Sequence, residues 1–283
     1  METRELSYFL AVAEELHFGR AARRLGIAQP PLSRAIQKLE RRLGVRLFER
    51  AGGRVTLTAP GRVLAREAVT ALEAVAAAER RTRRAGAATP GLVVAMKPGG
   101  DGGLLPAILA AYAGLPEAVE VEVVLCAMGE RARLLRDGTA DVAFLHTPYE
   151  DLTGFDSEPL VQEGGVAVLP LGHRLAGRDH VLLADLRGEP LARWSDESGG
   201  GPMVRDAAQL MQLIALGRAV AVVPESVRGQ LRDDLTCVPV LDAAPTTVVL
   251  AWPEHARSAA LAAFVRAASG VSQAAQGIAP VCH

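Results

Sequence analysis

Five polar residues on one stretch carry the strongest chemical signal in this chain. Ser33, Arg34, Gln37, Lys38 and Arg41 lie on one side of a 3.6-residue period, and Leu32, Ile36, Leu39 and Leu43 mark the other. The polar set is hydroxyl, amide and cation, without a carboxylate. Arg can grip guanine bidentately and Gln can grip adenine at base edges open in the DNA major groove, so the face suits base reading. A basic helix face can equally be a solvated one, and the flanking residues have to decide.

Two short helices joined by a tight turn would position that face. The first, over residues 19–25, turns Ala21, Ala22 and Leu25 inward and is closed by Gly26. Pro30 and Pro31 fit the first turn of the second, where a missing N–H breaks no hydrogen bond, and Gly44 ends it. Ahead of both, Leu6, Phe9, Leu10, Ala13 and Leu16 mark a covering helix, with His17 as a partly buried neighbour. Behind them, residues 45–50 and 55–58 alternate as strands around a turn. This predicts a two-stranded wing with Arg50 and Arg54 at its tip, within reach of phosphates.

Thr58 as cap and Pro60 in the first turn start a further helix that runs to Arg84. About 25 residues span roughly 37 Å at the helical rise per residue. Leu64, Ala68, Ala71, Leu72 and Val75 form a heptad-like seam along it, too long for a small wing domain to bury, so a second chain is expected to cover it.

Charge divides the 283 residues more informatively than the net of −1 suggests. Residues 1–90 hold 17 Arg and Lys against 9 Asp and Glu, whereas residues 91–283 hold 14 against 23. A basic module points to a polyanionic partner. The length implies two or three units, and the 49% hydrophobic content is ample for their cores. No stretch approaches the roughly 20 apolar residues of a membrane span and the N-terminus is no signal peptide, so a cytoplasmic location is expected. Cys126, Cys237 and Cys282 match no metal or redox spacing, and the six histidines are equally dispersed. No HExxH, GxSxG or paired-carboxylate motif nominates a catalytic set, so neither an enzyme nor a cofactor is expected. A redox reading would use Cys126 with a distant partner such as Cys237.

The run AARRLGIAQPPLSRAIQKLERRLGVRLFER through VTLTAPG resembles the winged helix-turn-helix of LysR-type transcriptional regulators over residues 1–60. QPPLS, LE, LG, LF-R and LT-PG together are far more selective than a lone helix-turn-helix. The resemblance implies that Gln29, Pro30, Pro31, Ser33, Arg34, Gln37 and Lys38 face DNA, with Arg50 and Arg54 on the wing. It also implies that the long helix forms an antiparallel pair setting two recognition helices apart.

After the small-residue hinge at 86–90, strand-like runs (92–96, 119–125, 141–145, 165–169, 219–223, 246–252) alternate with helical ones (104–113, 131–137, 206–215, 257–268). Such alternation argues for α/β units with parallel sheets. LPAIL, RLLRDGTADVAFL, LGHRLAG, LADLRGEPL and LIALGRAVAVVPES resemble the effector domain of the same regulators, which is similar to periplasmic binding proteins. The expected architecture is therefore α/β: a winged helix-turn-helix (1–58), a linker helix (59–85) and a hinge (86–90), followed by a two-lobed effector domain. Residues 91–160 and 254–283 are expected to build lobe 1, and 161–253 lobe 2, with crossings near Pro159 and Pro253.

The glycine-rich turn Lys97, Pro98, Gly99, Gly100, Asp101 leaves a strand and enters a helix, where backbone N–H groups can meet an anion. Met128, His146, Thr147, Trp194, Ser195, Pro202 and Pro224 sit at other strand ends, where this architecture places its ligand. Residues 195–203 are too short for the helix that many family members place there, and Asp196 and Glu197 stand in its stead. On that side a neutral or cationic effector is favoured, or one held mostly by the first lobe. The expected function is a DNA-binding regulator, a homodimer or dimer of dimers on double-stranded promoter DNA, controlled by a small-molecule effector. The alternative is a small-molecule sensor whose N-terminal module serves assembly.

Overall fold

The computed structural model describes residues 1–51, 54–86, 91–127, 129–194 and 200–277. The chain divides into two compact units, residues 1–83 with 136–138 and residues 84–135 with 139–283.

In the first unit α1 (Thr3–Glu15), α2 (Phe18–Arg24) and α3 (Gln29–Leu43) precede an antiparallel pair, β1 (Phe48–Ala51) and β2 (Arg54–Leu57), and α4 (Ala59–Ala85). Leu6, Phe9, Val12, Phe18, Ala21, Ala22, Leu32, Ile36, Leu39, Leu47 and Phe48 form one core. Phe48 meets Phe9 and Phe18 at ring-centroid distances of 5.3 and 5.9 Å, tying the wing to the first two helices. The apolar face of α1 differs from the expected one at its end. Leu16 takes a left-handed φ of 45° and is exposed. His17 is exposed too, and its Nδ1 accepts the N–H groups of Gly19 and Arg20 at 3.1 and 3.2 Å. It caps α2 and does not join the core, because an N-terminal turn has donors to satisfy and imidazole supplies the acceptor. Leu43 also departs from the buried stripe, being 41% exposed beside the left-handed Gly44.

Thr58 caps α4 as expected: its Oγ1 accepts the Gly61 N–H at 3.0 Å and donates to the Arg46 carbonyl at 2.7 Å. A Cβ on Gly61 would fall 2.1 Å from the Leu47 carbonyl oxygen, so only glycine lets α4 start this close to the wing. The α4 seam is corrected in its first half. Ala68 is buried in the chain's own winged core, and Leu64 and Leu72 pack partly against it. The reach of the winged core ends there: Ala71 and Val75 are exposed, as are Val63 and Val69 on the flanks.

The second unit contains two sheets. A five-stranded sheet has the order β4 (Glu120–Leu125), β3 (Gly91–Met96), β5 (Val142–Thr147), β10 (Thr246–Pro253), β6 (Phe155–Glu163). Strand β3 is parallel to β4 and β5, while β10 is antiparallel to β5 and β6. Successive residues of β3 serve opposite faces: Leu92, Val94 and Met96 pack with Ile108 and Tyr112 of α5 (Leu105–Ala113) and Phe264 of α8 (Ala259–Gly277). Val93 and Ala95 pack with Leu134 and Leu135 of α6 (Arg131–Arg136). A run buried on both faces reads as continuous hydrophobicity, which is how β3 looks in sequence.

A three-stranded sheet, β8 (Ala221–Pro224), β7 (Gly165–Pro170), β9 (Leu235–Val240), carries α7 (Ala207–Ala215) against it. Both its pairings are antiparallel, so the expectation of parallel sheets holds only for β3, β4 and β5. The crossings also move. Pro159 lies inside β6, opposite Val249 where the register with β10 shifts, and the first sheet continues to Glu163. Strand β10, from Thr246, belongs to the first sheet as well, so residues 161–163 and 246–253 leave the second lobe as it was drawn from sequence. Strands β6 and β9 were not foreseen: each holds a proline and each lies at a sheet edge, where a missing N–H leaves the ladder intact.

Candidate nucleic-acid interface and ligand cleft

Helix α3 presents its polar side outward because Leu32, Ile36 and Leu39 are held at 1% exposure or less on the other. Gln29, Pro30, Pro31, Arg34, Gln37 and Lys38 are exposed and Ser33 is half-buried. The prolines occupy the second and third helical positions, within the first turn. Arg34, Gln37 and Lys38 make no hydrogen bond or ion pair with the described residues. Elsewhere in the unit arginines are engaged: Arg24 with Glu14, Arg20 with Glu15, and Arg42 with Glu5 at 2.7 and 3.2 Å. The Arg42 pair holds the Glu5 carboxyl down to about 2. The Glu2 N–H donates to Glu5 as well, so this carboxylate joins the start of α1 to the end of α3.

A second carboxylate fixes the wing. Oε1 of Glu40 accepts the N–H groups of Leu47 and Phe48 at 2.8 and 3.2 Å. Sequence reading missed both roles, although Glu40 belongs to the LE pair singled out there. Arg54 is exposed on β2, whereas the side chain of Arg50 lies outside the described residues.

The cleft residues come together at the C-terminal ends of three parallel strands, where the topology must place them. Lys97 follows β3, α6 follows β4, and His146 and Thr147 end β5. Arg131, the first residue of α6, is fully buried and pairs bidentately with Glu150, Nε to Oε1 at 3.1 Å and Nη2 to Oε2 at 2.7 Å. Glu150 also accepts the His146 N–H at 2.9 Å. The His146 ring is buried; burial, with Lys97 and Arg131 adding to it, pushes its pKa down to about 3, so the ring is neutral. Burial also lowers the Lys97 ammonium and raises the Glu163 carboxyl, which accepts the Ser226 hydroxyl at 3.0 Å. Ser226 belongs to a short 3-10 turn, Glu225–Gln230, so this bond joins the last residue of β6 to the segment following β8. Gln230 of the same turn lies over Gly99, where a Cβ would meet its Nε2 at 1.9 Å and where φ is +64°.

Other expected cleft residues are placed differently. Asp101 is buried with its Oδ2 accepting the Leu105 N–H at 3.0 Å, so it caps α5 and its carboxylate is turned from a ligand role. Gly100 is buried against the Lys97 stem, and Pro98 is exposed. Trp194 and Pro202 flank a separate bridge, Arg193 to Met203, and Pro224 pairs with Gly165 at the end of β8. Met128 and Ser195 lie outside the described residues, as do Asp196 and Glu197. The thiol of Cys126 contacts the Met96 carbonyl at 3.5 Å, and burial raises its pKa, which disfavours the reactive thiolate. Arg131, Glu150 and Glu163 escaped sequence reading. The one available signal was that Arg131 shares the i, i+3, i+4 stripe of Leu134 and Leu135.

Among the described residues no helix is long and apolar enough to cross a membrane, and no group of three His, Cys, Asp or Glu could hold a metal ion. Two family models match the chain: the bacterial regulatory helix-turn-helix protein, lysR family, over residues 3–62, and the LysR substrate binding domain over residues 85–272. The HTH-type transcriptional regulator AlsR of Bacillus subtilis is 31% identical over 83% of this chain and 84% of its own length. The crystal structure of the LysR family regulator CbnR is similar at a TM-score of 0.63 and 26% identity, covering 96% of this chain and 99% of CbnR. Full-length CbnR in complex with its target DNA is similar at a TM-score of 0.61 and 26% identity, covering 96% and 100%. A winged module with an unpaired polar helix face, joined to a two-sheet substrate-binding domain, thus meets its relatives along both halves, and the chain belongs to the LysR family of DNA-binding transcriptional regulators.

Proposed function

We propose that this regulator reads double-stranded promoter DNA with α3, Arg34, Gln37 and Lys38 contacting base edges and phosphates while Gln29, Pro30, Pro31 and Ser33 approach the backbone at the start of the helix. Arg54, with Arg50, extends the contact from the wing. The observation that carries this is the exposed, unpartnered donor set of α3 on a helix whose other side is anchored in the core. CbnR, similar along its whole length, has been seen with its target DNA.

The active species is a homodimer or dimer of dimers, in which Ala71 and Val75 of α4, with Val63 and Val69, meet a second copy beyond the stretch that packs on the winged core. A cytoplasmic location goes with DNA as partner. A small effector enters the cleft lined by Lys97, Gly99 and His146, binds one lobe arrangement more tightly, and shifts the population that engages DNA productively.

Gel-shift titration against the region upstream of the protein's own gene tests this. Affinity is expected to fall steeply with salt, the log–log slope tracking the number of phosphates neutralised. Binding indifferent to both salt and sequence would return the chain to the sensor reading.

A further inference from the structure

Around Leu47 the backbone joins three elements of the first unit. The Leu47 N–H, with that of Phe48, donates to Oε1 of Glu40 on α3, at 2.8 and 3.2 Å. The Leu47 carbonyl accepts the Thr58 N–H at 3.0 Å, just ahead of α4. The Thr58 hydroxyl donates to the Arg46 carbonyl at 2.7 Å and accepts the Gly61 N–H at 3.0 Å. The Leu47 side chain is buried in the winged core, and Gly61 sits so close that a Cβ there would fall 2.1 Å from the Leu47 carbonyl oxygen. Strand β1 therefore begins in a joint between α3 and α4, closed on one side by a carboxylate and on the other by a hydroxyl.

The joint differs in kind from the apolar contacts around it. Leu64, Ala68 and Leu72 hold α4 against the core, but burial of apolar area is non-directional and tolerates a small tilt. Hydrogen bonds weaken steeply off their line, so Glu40 and Thr58 fix the angle between α3 and α4. That angle has leverage. The run from Thr58 to the exposed Val75 is roughly 25 Å at the helical rise, and a tilt of about 5° at the joint displaces Val75 by about 2 Å. One base pair of DNA is about 3.4 Å of axis and about a tenth of a turn.

We propose that Glu40 and Thr58 are positioning residues that set the spacing at which two copies of this chain read a pair of DNA half-sites. The proposal rests on reading α3 as the DNA helix and the exposed part of α4 as the seam between copies. Neither side chain contacts DNA in this role. Both act through the backbone at Leu47, which carries the orientation of α3 to α4 and so to the second copy.

The test uses the full-length protein and the half-site it selects from random duplexes, presented once, or twice with the gap altered one base pair at a time. Wild type is expected to bind tightest at one gap, a change of one base pair costing about tenfold or more because both modules can no longer engage together. Thr58→Ala should flatten that preference to within about threefold while affinity for the single half-site stays within about twofold, and Thr58→Ser should restore it. Glu40→Met should flatten it as well, and Glu40→Gln, whose amide oxygen still accepts, should not. The Thr58 pair decides if Glu40→Met melts too early to assay, since Thr58→Ala leaves both N–H groups of the wing on Glu40. A gap preference as sharp in Thr58→Ala as in wild type, or a flattening that Thr58→Ser fails to reverse, overturns the proposal and leaves the DNA and dimer readings standing. Wild type that binds a single half-site with no gap preference overturns the dimer reading and the proposal with it; wild type that selects no half-site overturns all three.

Discussion

The α3 face and the cleft wall both present cations, under opposite physical conditions. On α3, Arg34 and Lys38 are exposed and make no hydrogen bond or ion pair with the described residues, and water solvates them at no structural cost. In the cleft, Arg131 has no exposure, and Glu150 compensates its buried charge by gripping two of its nitrogens. The first surface is therefore free to give up charge to a partner without consequence for folding. The second is a charge on which the fold itself depends.

Removing Glu150 sharpens that contrast most. Glu150→Gln leaves the buried guanidinium uncompensated and is expected to cost about 3–5 kcal/mol, read by urea unfolding. Replacing both partners, Arg131→Met with Glu150→Leu, should return most of that loss, since a buried pair contributes little beyond its own desolvation. A loss under about 1 kcal/mol for Glu150→Gln would place the pair among solvated surface bridges and break the distinction.

Legibility in the sequence follows the same division. The α3 face could be read because an exposed helix face is set by period alone: Leu32, Ile36 and Leu39 fix the inside, and what remains is the outside. The wing, the Thr58 cap and the Gly26 and Gly44 stops were legible for the same reason, each being a local rule. Arg131 was not, because α6 also carries Arg133 and Arg136 and only the packing of Leu134 and Leu135 selects the buried one. Strands β6 and β9 were hidden by Pro159 and Pro239, and the α4 seam was assigned wholly to a partner because sequence does not say that Ala68 meets its own domain. Lys97 and His146 were placed by strand ends, whereas the burial of His146 beside Arg131 and Lys97 exists only in three dimensions.

Arg34→Ala probes the exposed side of the comparison. Loss of a bidentate base contact is worth about 1–3 kcal/mol, roughly 5- to 150-fold in affinity for the specific site. Unfolding free energy should stay within about 0.5 kcal/mol, since no described residue pairs with this side chain. Gel shifts on specific and scrambled duplexes, alongside urea unfolding, separate the two. A variant that unfolds more easily while still discriminating sequence would mean that Arg34 supports the fold and another residue reads the site.

Glu5 and Arg42 lie between these extremes and give the smallest effect, with a definite pH signature. The Glu5 carboxyl is 10% exposed and the Arg42 guanidinium 38%, so solvent screens the pair in part. Its hydrogen bonds to Arg42 and to the Glu2 N–H lower the carboxyl from an ordinary 4.5 to about 2. A carboxyl depressed on folding contributes its full stabilisation above pH 4.5 and loses it progressively as pH falls through the window down to about 2. With screening, Glu5→Gln should cost about 1–2 kcal/mol at pH 7. The difference between variant and wild type should shrink as pH drops and close near the bottom of that window, where the native carboxyl is itself protonated. A gap that stays constant with pH would assign the loss to packing at the start of α1. A gap that closes would show that even on the winged module, beside the solvated cations of the α3 face, the charge that orients α3 against α1 is held as the cleft charges are.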